Sequence, residues 1–340
     1  MNRTANTGSS VSAEVKVPFL VTALVGCYNQ SRFVEECLDS VRHQTYPNLQ
    51  VIIFDDCSKD NSVSVIDTWL EKHRLDWQFI RHKRNVGICA SVNEMLRLAR
   101  GKYISMVAAD DVWLPDKTAR QVEMMERMPE DVGVLYSDAF QIDEDGETAR
   151  QTFIEASRKF VVPPEGFLFD VLWTANFIPA MTTLIRRECF DRVGSYDEDL
   201  CFEDWDMWMR ISRTFRFGYD INPAGKYRIV SSSVTRTMSE AMRKSVELFR
   251  VKYFFRGWLN KDQARDAALA LDGVVWRSYQ AGSHIPLRWK IALLKQNCSA
   301  KTICLIVCST CGLSFVRFKQ ILACGVAFKA KIFTTGHLMP

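Results

Sequence analysis

The chain has 340 residues, 47% hydrophobic and 25% charged, a composition that excludes wholesale disorder and suits one large or two modest domains. No apolar run reaches the about 18 residues of a spanning helix; the longest, Thr302 to Val316, is interrupted by Ser309, Thr310 and Gly312. The net charge of +4 conceals an asymmetry, because residues 1–240 carry 28 Lys and Arg against 36 Asp and Glu, and residues 241–340 carry 16 against 4.

Residues 1–17 are polar and lack the apolar stretch of a secretory signal, so they read as a lead-in and the protein is expected in the cytoplasm. Eleven cysteines, an odd number mostly inside apolar segments, read as reduced thiols rather than a disulfide framework. Cys298, Cys304, Cys308, Cys311 and Cys324 superficially resemble metal spacing, but they include a single Cys-x-x-Cys pair and no second one, which is weak support for zinc.

Phe19 to Cys27 is a nearly continuous apolar run, as a parallel strand buried on both faces requires. Phe33, Val34, Cys37, Leu38 and Val41 then fall on one helical face, with Ser31 as the expected N-cap. A strand at Val51–Phe54 runs into Asp55-Asp56 and a helix starting at Asp60 or Asn61. Trp77–Arg81 and the helix around Val92–Ala99 repeat the unit, and a fourth strand, Tyr103–Ala108, runs into Asp110-Asp111. This alternation predicts a doubly wound α/β sheet with its ligand crevice beyond the carboxyl ends of the strands. Neither G-x-G-x-x-G nor a Walker A sequence occurs, which removes the main support for dinucleotide and P-loop readings. Paired acids at two strand ends crowd negative charge, an arrangement that calls for a cation. The alternative is that they only cap the following turns and helices.

The segments VGCYNQSRFVEECLDSVRHQTYPNLQVIIFDDCSKDNS and GKYISMVAADDVWLPDK, with RNVGICASVNEML between them, resemble the inverting family 2 glycosyltransferases of the GT-A fold. The resemblance runs from about Pro18 to Tyr227. It implies an α/β, Rossmann-like GT-A fold with a mostly parallel sheet and flanking helices in a catalytic domain at 18–237, followed by a basic helical region at 238–340. It also implies a hexosyltransferase acting on a nucleotide-sugar donor and a glycan or lipid-linked acceptor, as in bacterial surface polysaccharide assembly.

Such a donor needs a stacking surface, hydrogen-bond acceptors and a counter-cation. Tyr28 can lie against the base, and Gly26 lets the backbone approach it. By resemblance, Asp56 accepts a hydrogen bond from the base, Asp110 holds the nucleotide-sugar, and Asp111 holds Mg²⁺ or Mn²⁺, hard cations that favour oxygen ligands. In FEDWDMWMRIS, Asp204 matches the catalytic base, Glu203 is placed to bind acceptor hydroxyls, and Trp205 is a candidate sugar platform, although Trp205, Trp208 and Met209 also fall on helical core spacing. Arg228, Arg236 and Ser231–Ser233 occupy a segment where relatives often fold a loop over the diphosphate. The missing Gln-x-x-Arg-Trp motif and spanning helices speak against a processive synthase. A silent sugar-nucleotide-binding or scaffold module, or a metal-dependent nucleotidyltransferase, remains the alternative.

In the tail, Ala264, Ala267, Ala268, Leu271, Val274, Val275 and Ser278 mark a single-faced helix suited to helix pairing. Leu287–Gln296 mixes apolar and basic residues as interfacial helices do, so the tail points to peripheral membrane contact or a second subunit rather than to nucleic acid.

Overall fold

The computed structural model describes residues 18–157, 160, 162–230, 240–296, 303, 306–307 and 309–310. They divide into two compact units: residues 18–196 with 207–230, and residues 197–206 with the helices from 240 onward.

The first unit opens with β1 (Val21–Cys27), α1 (Val34–Arg42), β2 (Leu49–Asp55), α2 (Ser62–His73), β3 (Gln78–Arg81), α3 (Ile88–Leu98) and β4 (Tyr103–Ala108). β1 pairs in parallel with β2 and β4, and β2 with β3. The register sets Gly26 level with Phe54 and Ala108, so the loops leaving β1, β2 and β4 emerge at one edge of the sheet. The uninterrupted apolar character of β1 follows from this central place. Ala23 and Val25 pack with Val34, Cys37, Leu38 and Val41 of α1 and with Ile66 and Trp69 of α2, each fully buried aliphatic side chain contributing roughly 1.5–3 kcal/mol.

The chain continues through β5 (Val112–Trp113), α4 (Lys117–Arg127), β6 (Val132–Ile142), β7 (Thr148–Thr152), α5 (Phe153–Ser157), α6 (Phe169–Thr174), β8 (Leu184–Arg186), α7 (Arg187–Val193), α8 (Asp204–Ile211) and β9 (Arg216–Arg228). The sheet order is β3-β2-β1-β4-β8-β6-β9-β5, with β7 against β6. β8 runs antiparallel to β4 and β6, and β9 parallel to β6. β9 thereby delivers its last residue, Arg228, to the edge where the β4 loop emerges.

One expected cap is corrected. α1 starts at Val34, so Phe33 rather than Ser31 stands at the N-cap position and no side chain caps the helix. The Ser31 amide donates to Asp60 Oδ2 at 2.9 Å, a bond to another loop that helical periodicity does not register. Among the described cysteines, Cys27, Cys37, Cys89 and Cys189 are buried free thiols and Cys57 and Cys201 are half-buried; the group from Cys298 to Cys324 lies outside the described residues.

The second unit contains α9 (Glu240–Arg256), α10 (Lys261–Gln280) and α11 (Leu287–Gln296). Asn260 starts α10 with a full capping box: its side-chain oxygen accepts from the Asp262 and Gln263 amides at 3.1 and 3.0 Å, and Gln263 Oε1 accepts from the Asn260 amide at 3.0 Å. Ala267, Leu271, Val275 and Tyr279 are the buried stripe of α10. Residues 197–206 are fastened to α9: Lys252 Nζ donates to both Asp197 oxygens at 2.7 and 2.6 Å and to Asp199 Oδ2 at 2.7 Å, and Ser245 Oγ accepts from the Cys201 amide. Among the described residues no helix is long and apolar enough to cross a membrane.

Candidate active site

The loops after β1 and β2 are stitched together. Asn29 and Cys57 adopt left-handed conformations, at φ 55° and 65°. The Asn29 amide donates to Ser58 Oγ at 2.8 Å, and its side-chain oxygen accepts from the Lys59 amide at 2.7 Å. Asp55 and Asp56, adjacent in sequence, do different work. Asp55 accepts from the Ser58 amide at 2.8 Å and from Ser58 Oγ at 2.5 Å, so it is the turn cap. Asp56 reaches the loop before α3, accepting from the amides of Val86 at 2.8 Å and Gly87 at 2.9 Å, with His82 Nδ1 at 2.9 Å. An ionised carboxylate offers about four lone-pair positions, so three chain partners leave Asp56 about one.

Tyr28 is 46% exposed, as a stacking surface must be. Gly26 has a reason to lack a side chain that the sequence does not disclose: a Cβ there would sit 2.9 Å from the Phe54 ring.

Asp110 and Asp111 follow β4. Burial raises the Asp110 carboxyl, and burial together with the neighbouring Asp110 charge raises Asp111 well above the usual range. Neither acid caps the next helix, because Asp116 occupies that position. Both are held by Arg228, whose amide donates to Asp111 Oδ1 at 2.9 Å and whose Nε donates to the Asp110 carbonyl at 2.9 Å. Its Nη1 donates to the Asp143 carbonyl at 3.0 Å and its Nη2 to Glu36 Oε2 at 2.5 Å, with the guanidinium 4.7 Å from the Phe33 ring centre. Arg228 is only 3% exposed. The expectation that it meets phosphate is therefore corrected: its side-chain nitrogens are engaged within the protein, and it acts as a clamp beneath the acid pair. Arg236 and Ser231–Ser233 lie outside the described residues.

The acid pair fits a divalent ion by its chemistry, since two adjacent hard carboxylates whose proton affinities are raised by burial, and for Asp111 also by the Asp110 charge, are relieved by a cation. No cluster of three or more His, Cys, Asp or Glu suited to a metal occurs among the described residues. Further ligands would have to come from substrate phosphate and water.

In the second unit, Glu203, Asp204 and Trp205 are half-buried at the start of α8. Burial, reinforced by the Asp204 charge, pushes the Glu203 carboxyl up to about 8. Asp204 Oδ1 accepts from the Trp205 amide at 2.6 Å. The Trp205 ring lies 5.1 Å from Phe249 and 5.9 Å from Phe202, centre to centre, so much of it is engaged in an aromatic cluster. Asp206, which the sequence reading did not single out, is buried and accepts from Tyr253 Oη at 3.1 Å. Trp208 and Met209 are core residues of the first unit.

The sequence profile described as Glycosyl transferase family 2 matches residues 22–194, half of the chain, and this match includes Tyr28, Asp56, Asp110 and Asp111. The chain belongs to glycosyltransferase family 2. An uncharacterized glycosyltransferase of Rickettsia felis is 27% identical over 224 residues, covering 65% of this chain; the match spans only 36% of that relative's length. A putative teichuronic acid biosynthesis glycosyltransferase of Bacillus subtilis, TuaG, is 25% identical over 232 residues, 68% of this chain and 87% of the relative. Among solved structures, the mannosyltransferase PcManGT of Pyrobaculum calidifontis, in complex with GDP-Man and Mn²⁺, superposes with a TM-score of 0.54 over 92% of this chain and 81% of that one, at 18% identity. The curled, mostly parallel sheet with flanking helices is thus the GT-A fold of this family 2 glycosyltransferase.

Proposed function

We propose that this family 2 glycosyltransferase transfers a sugar, with inversion, from a nucleoside-diphosphate donor to a hydroxyl of a glycan or lipid-linked acceptor in bacterial surface polysaccharide assembly. The observation that carries this reading is the Asp110-Asp111 pair, half-buried and buried respectively, held by Arg228 at the strand-end edge that also bears Tyr28 and Asp56. Tyr28 stacks on the base, the open position of Asp56 accepts from a base N–H, and Asp110 orients the ribose and sugar. Asp111 is the residue that would hold Mg²⁺ or Mn²⁺. When bound, such an ion offsets the negative charge that develops on the departing diphosphate.

Inversion needs one base. The acceptor hydroxyl attacks the anomeric carbon opposite the diphosphate and gives its proton to Asp204. Neighbouring acids with separated proton affinities suit divided roles: the raised carboxyl of Glu203 keeps a proton with which to hold an acceptor hydroxyl. Trp205 can contribute only the part of its ring left open by the aromatic cluster.

The name of TuaG supports the surface-polysaccharide context. Leu287 and Ile291 of α11 are 68% and 45% exposed within a basic stretch, which supports peripheral contact with an anionic membrane. Equal binding to neutral and anionic vesicles would contradict the electrostatic part of that contact.

Asp204→Asn tests the base. It retains size and the ability to accept from the Trp205 amide, so folding and donor binding should persist while transfer falls at least about a hundredfold. Undiminished transfer refutes the base, and a product that retains the donor's anomeric configuration refutes inversion.

A further inference from the structure

Asp56 does not stand alone behind its loop. His82, which follows β3, places Nδ1 2.9 Å from Asp56 Oδ1, and its other ring nitrogen, Nε2, lies 3.2 Å from Glu94 Oε2 on α3. The imidazole is stacked on Phe54 with ring centres 6.1 Å apart and planes 21° apart, and its backbone amide donates to the Asp55 carbonyl at 3.0 Å. The side chains of His82 and Asp56 are 9% and 5% exposed, that of Glu94 42%. A line of three polar groups therefore runs from a half-exposed helix position to the buried carboxylate.

The chemistry of this line is constrained. An ionised carboxylate can only accept hydrogen bonds, so the geometry sets each ring nitrogen of His82 opposite an acceptor, Nδ1 facing Asp56 and Nε2 facing Glu94. The Val86 and Gly87 amides supply two more donors to Asp56, aimed from the start of α3, where the helix end favours negative charge. These three partners hold the Asp56 carboxylate in one orientation, and among the described residues they leave about one acceptor position open.

We propose that His82 and Glu94 are positioning residues of the nucleotide site: Glu94, acting through the His82 ring, fixes the Asp56 carboxylate as the acceptor for an N–H of the donor's base. This rests on the reading that Asp56 meets the base. Neither residue touches the nucleotide itself. Their effect is on nucleotide affinity, because the sugar and diphosphate are held from the other side of the site, by the Asp110-Asp111 pair.

Two measurements test it. In protein carrying ¹⁵N-histidine, the ring signals that vanish in His82→Gln should show both nitrogens protonated, and Glu94→Gln should convert them to a neutral ring protonated at one nitrogen. A neutral His82 ring in the wild type overturns the proposal. In calorimetry with UDP and with GDP in the presence of Mn²⁺, Glu94→Gln and His82→Gln should each weaken the preferred nucleotide by about tenfold, the scale of one lost charge-assisted hydrogen bond. Asp56→Asn is the control on the underlying reading. If Asp56→Asn weakens binding and the other two variants do not, this inference alone fails. If Asp56→Asn is without effect, or neither nucleotide binds the wild type, the base-contact reading fails and this inference with it.

Discussion

Replacing Arg228 probes the clamp under the acid pair. Arg228→Ala removes side-chain hydrogen bonds to the Asp110 carbonyl, the Asp143 carbonyl and Glu36, together with the stacking on Phe33, from a group only 3% exposed. Breaking a buried charged pair by removing one partner costs about 3–5 kcal/mol. Glu36 is 53% exposed and regains water when freed, which sets the expectation at the lower end, about 3 kcal/mol. Arg228→Lys keeps the charge but not the planar fork, so one ammonium cannot serve three acceptors in different directions, and about 2 kcal/mol should still be lost. The hydrogen bond from the backbone N–H of residue 228 to Asp111 Oδ1 survives both changes, so the damage falls on the Asp110 main chain and with it the orientation of Asp110. Urea denaturation reads the stability, and donor KM in a nucleoside-diphosphate release assay reads the orientation. Both variants should raise KM, Lys less than Ala. A lysine variant equal to the wild type in both assays would refute the clamp.

Gly26→Ala should destabilise the protein by about 1–3 kcal/mol through overpacking against Phe54, with partial rescue when Phe54→Leu is added; an unchanged urea midpoint in the single variant would show that the ring has room. Lys117 is fully buried, with Nζ donating to Ser105 Oγ at 2.8 Å and Gln121 Oε1 at 2.9 Å, and burial pushes its ammonium down from about 10.5 to about 7. Between these values the unfolded chain binds the proton and the folded protein does not. Stability should therefore rise with pH across that window, by at most about 1.4 kcal/mol per pH unit, and be penalised in full below about 7. Lys117→Met should remove that slope from urea titrations at pH 6.5 to 9, and an identical slope in both proteins would assign it elsewhere.

Much of the first half of the fold is legible because its signals are local. The buried run of β1 and the helical stripe of α1 each declare themselves within a few residues. β9 is another matter, since its interior Gly-Tyr-Asp-Ile-Asn-Pro-Ala-Gly mixes strand breakers with strand formers and its pairing with β6 shifts register twice. The acid pairs were visible as carboxylates at strand ends, but their division of labour was not. Asp55 caps a turn three residues away, whereas Asp56 reaches Val86 and Gly87, 30 and 31 residues on. Arg228 meets Asp111 across 117 residues, a contact that no periodicity encodes. Trp205 was ambiguous in sequence because an aromatic at helical spacing suits both core and ligand surface, and only its packing on Phe249 decides how much ring remains open.

The most direct test of sugar-nucleotide chemistry at the Asp110-Asp111 edge is the release of nucleoside diphosphate from UDP- and GDP-sugars with Mn²⁺, comparing the wild type with Asp111→Asn. The wild type should turn over at least one donor and lose that activity to EDTA, while Asp111→Asn stays folded and is slower by at least about a hundredfold. Equal release by Asp111→Asn, or release indifferent to EDTA, would contradict the assignment of the metal and the leaving group to this edge.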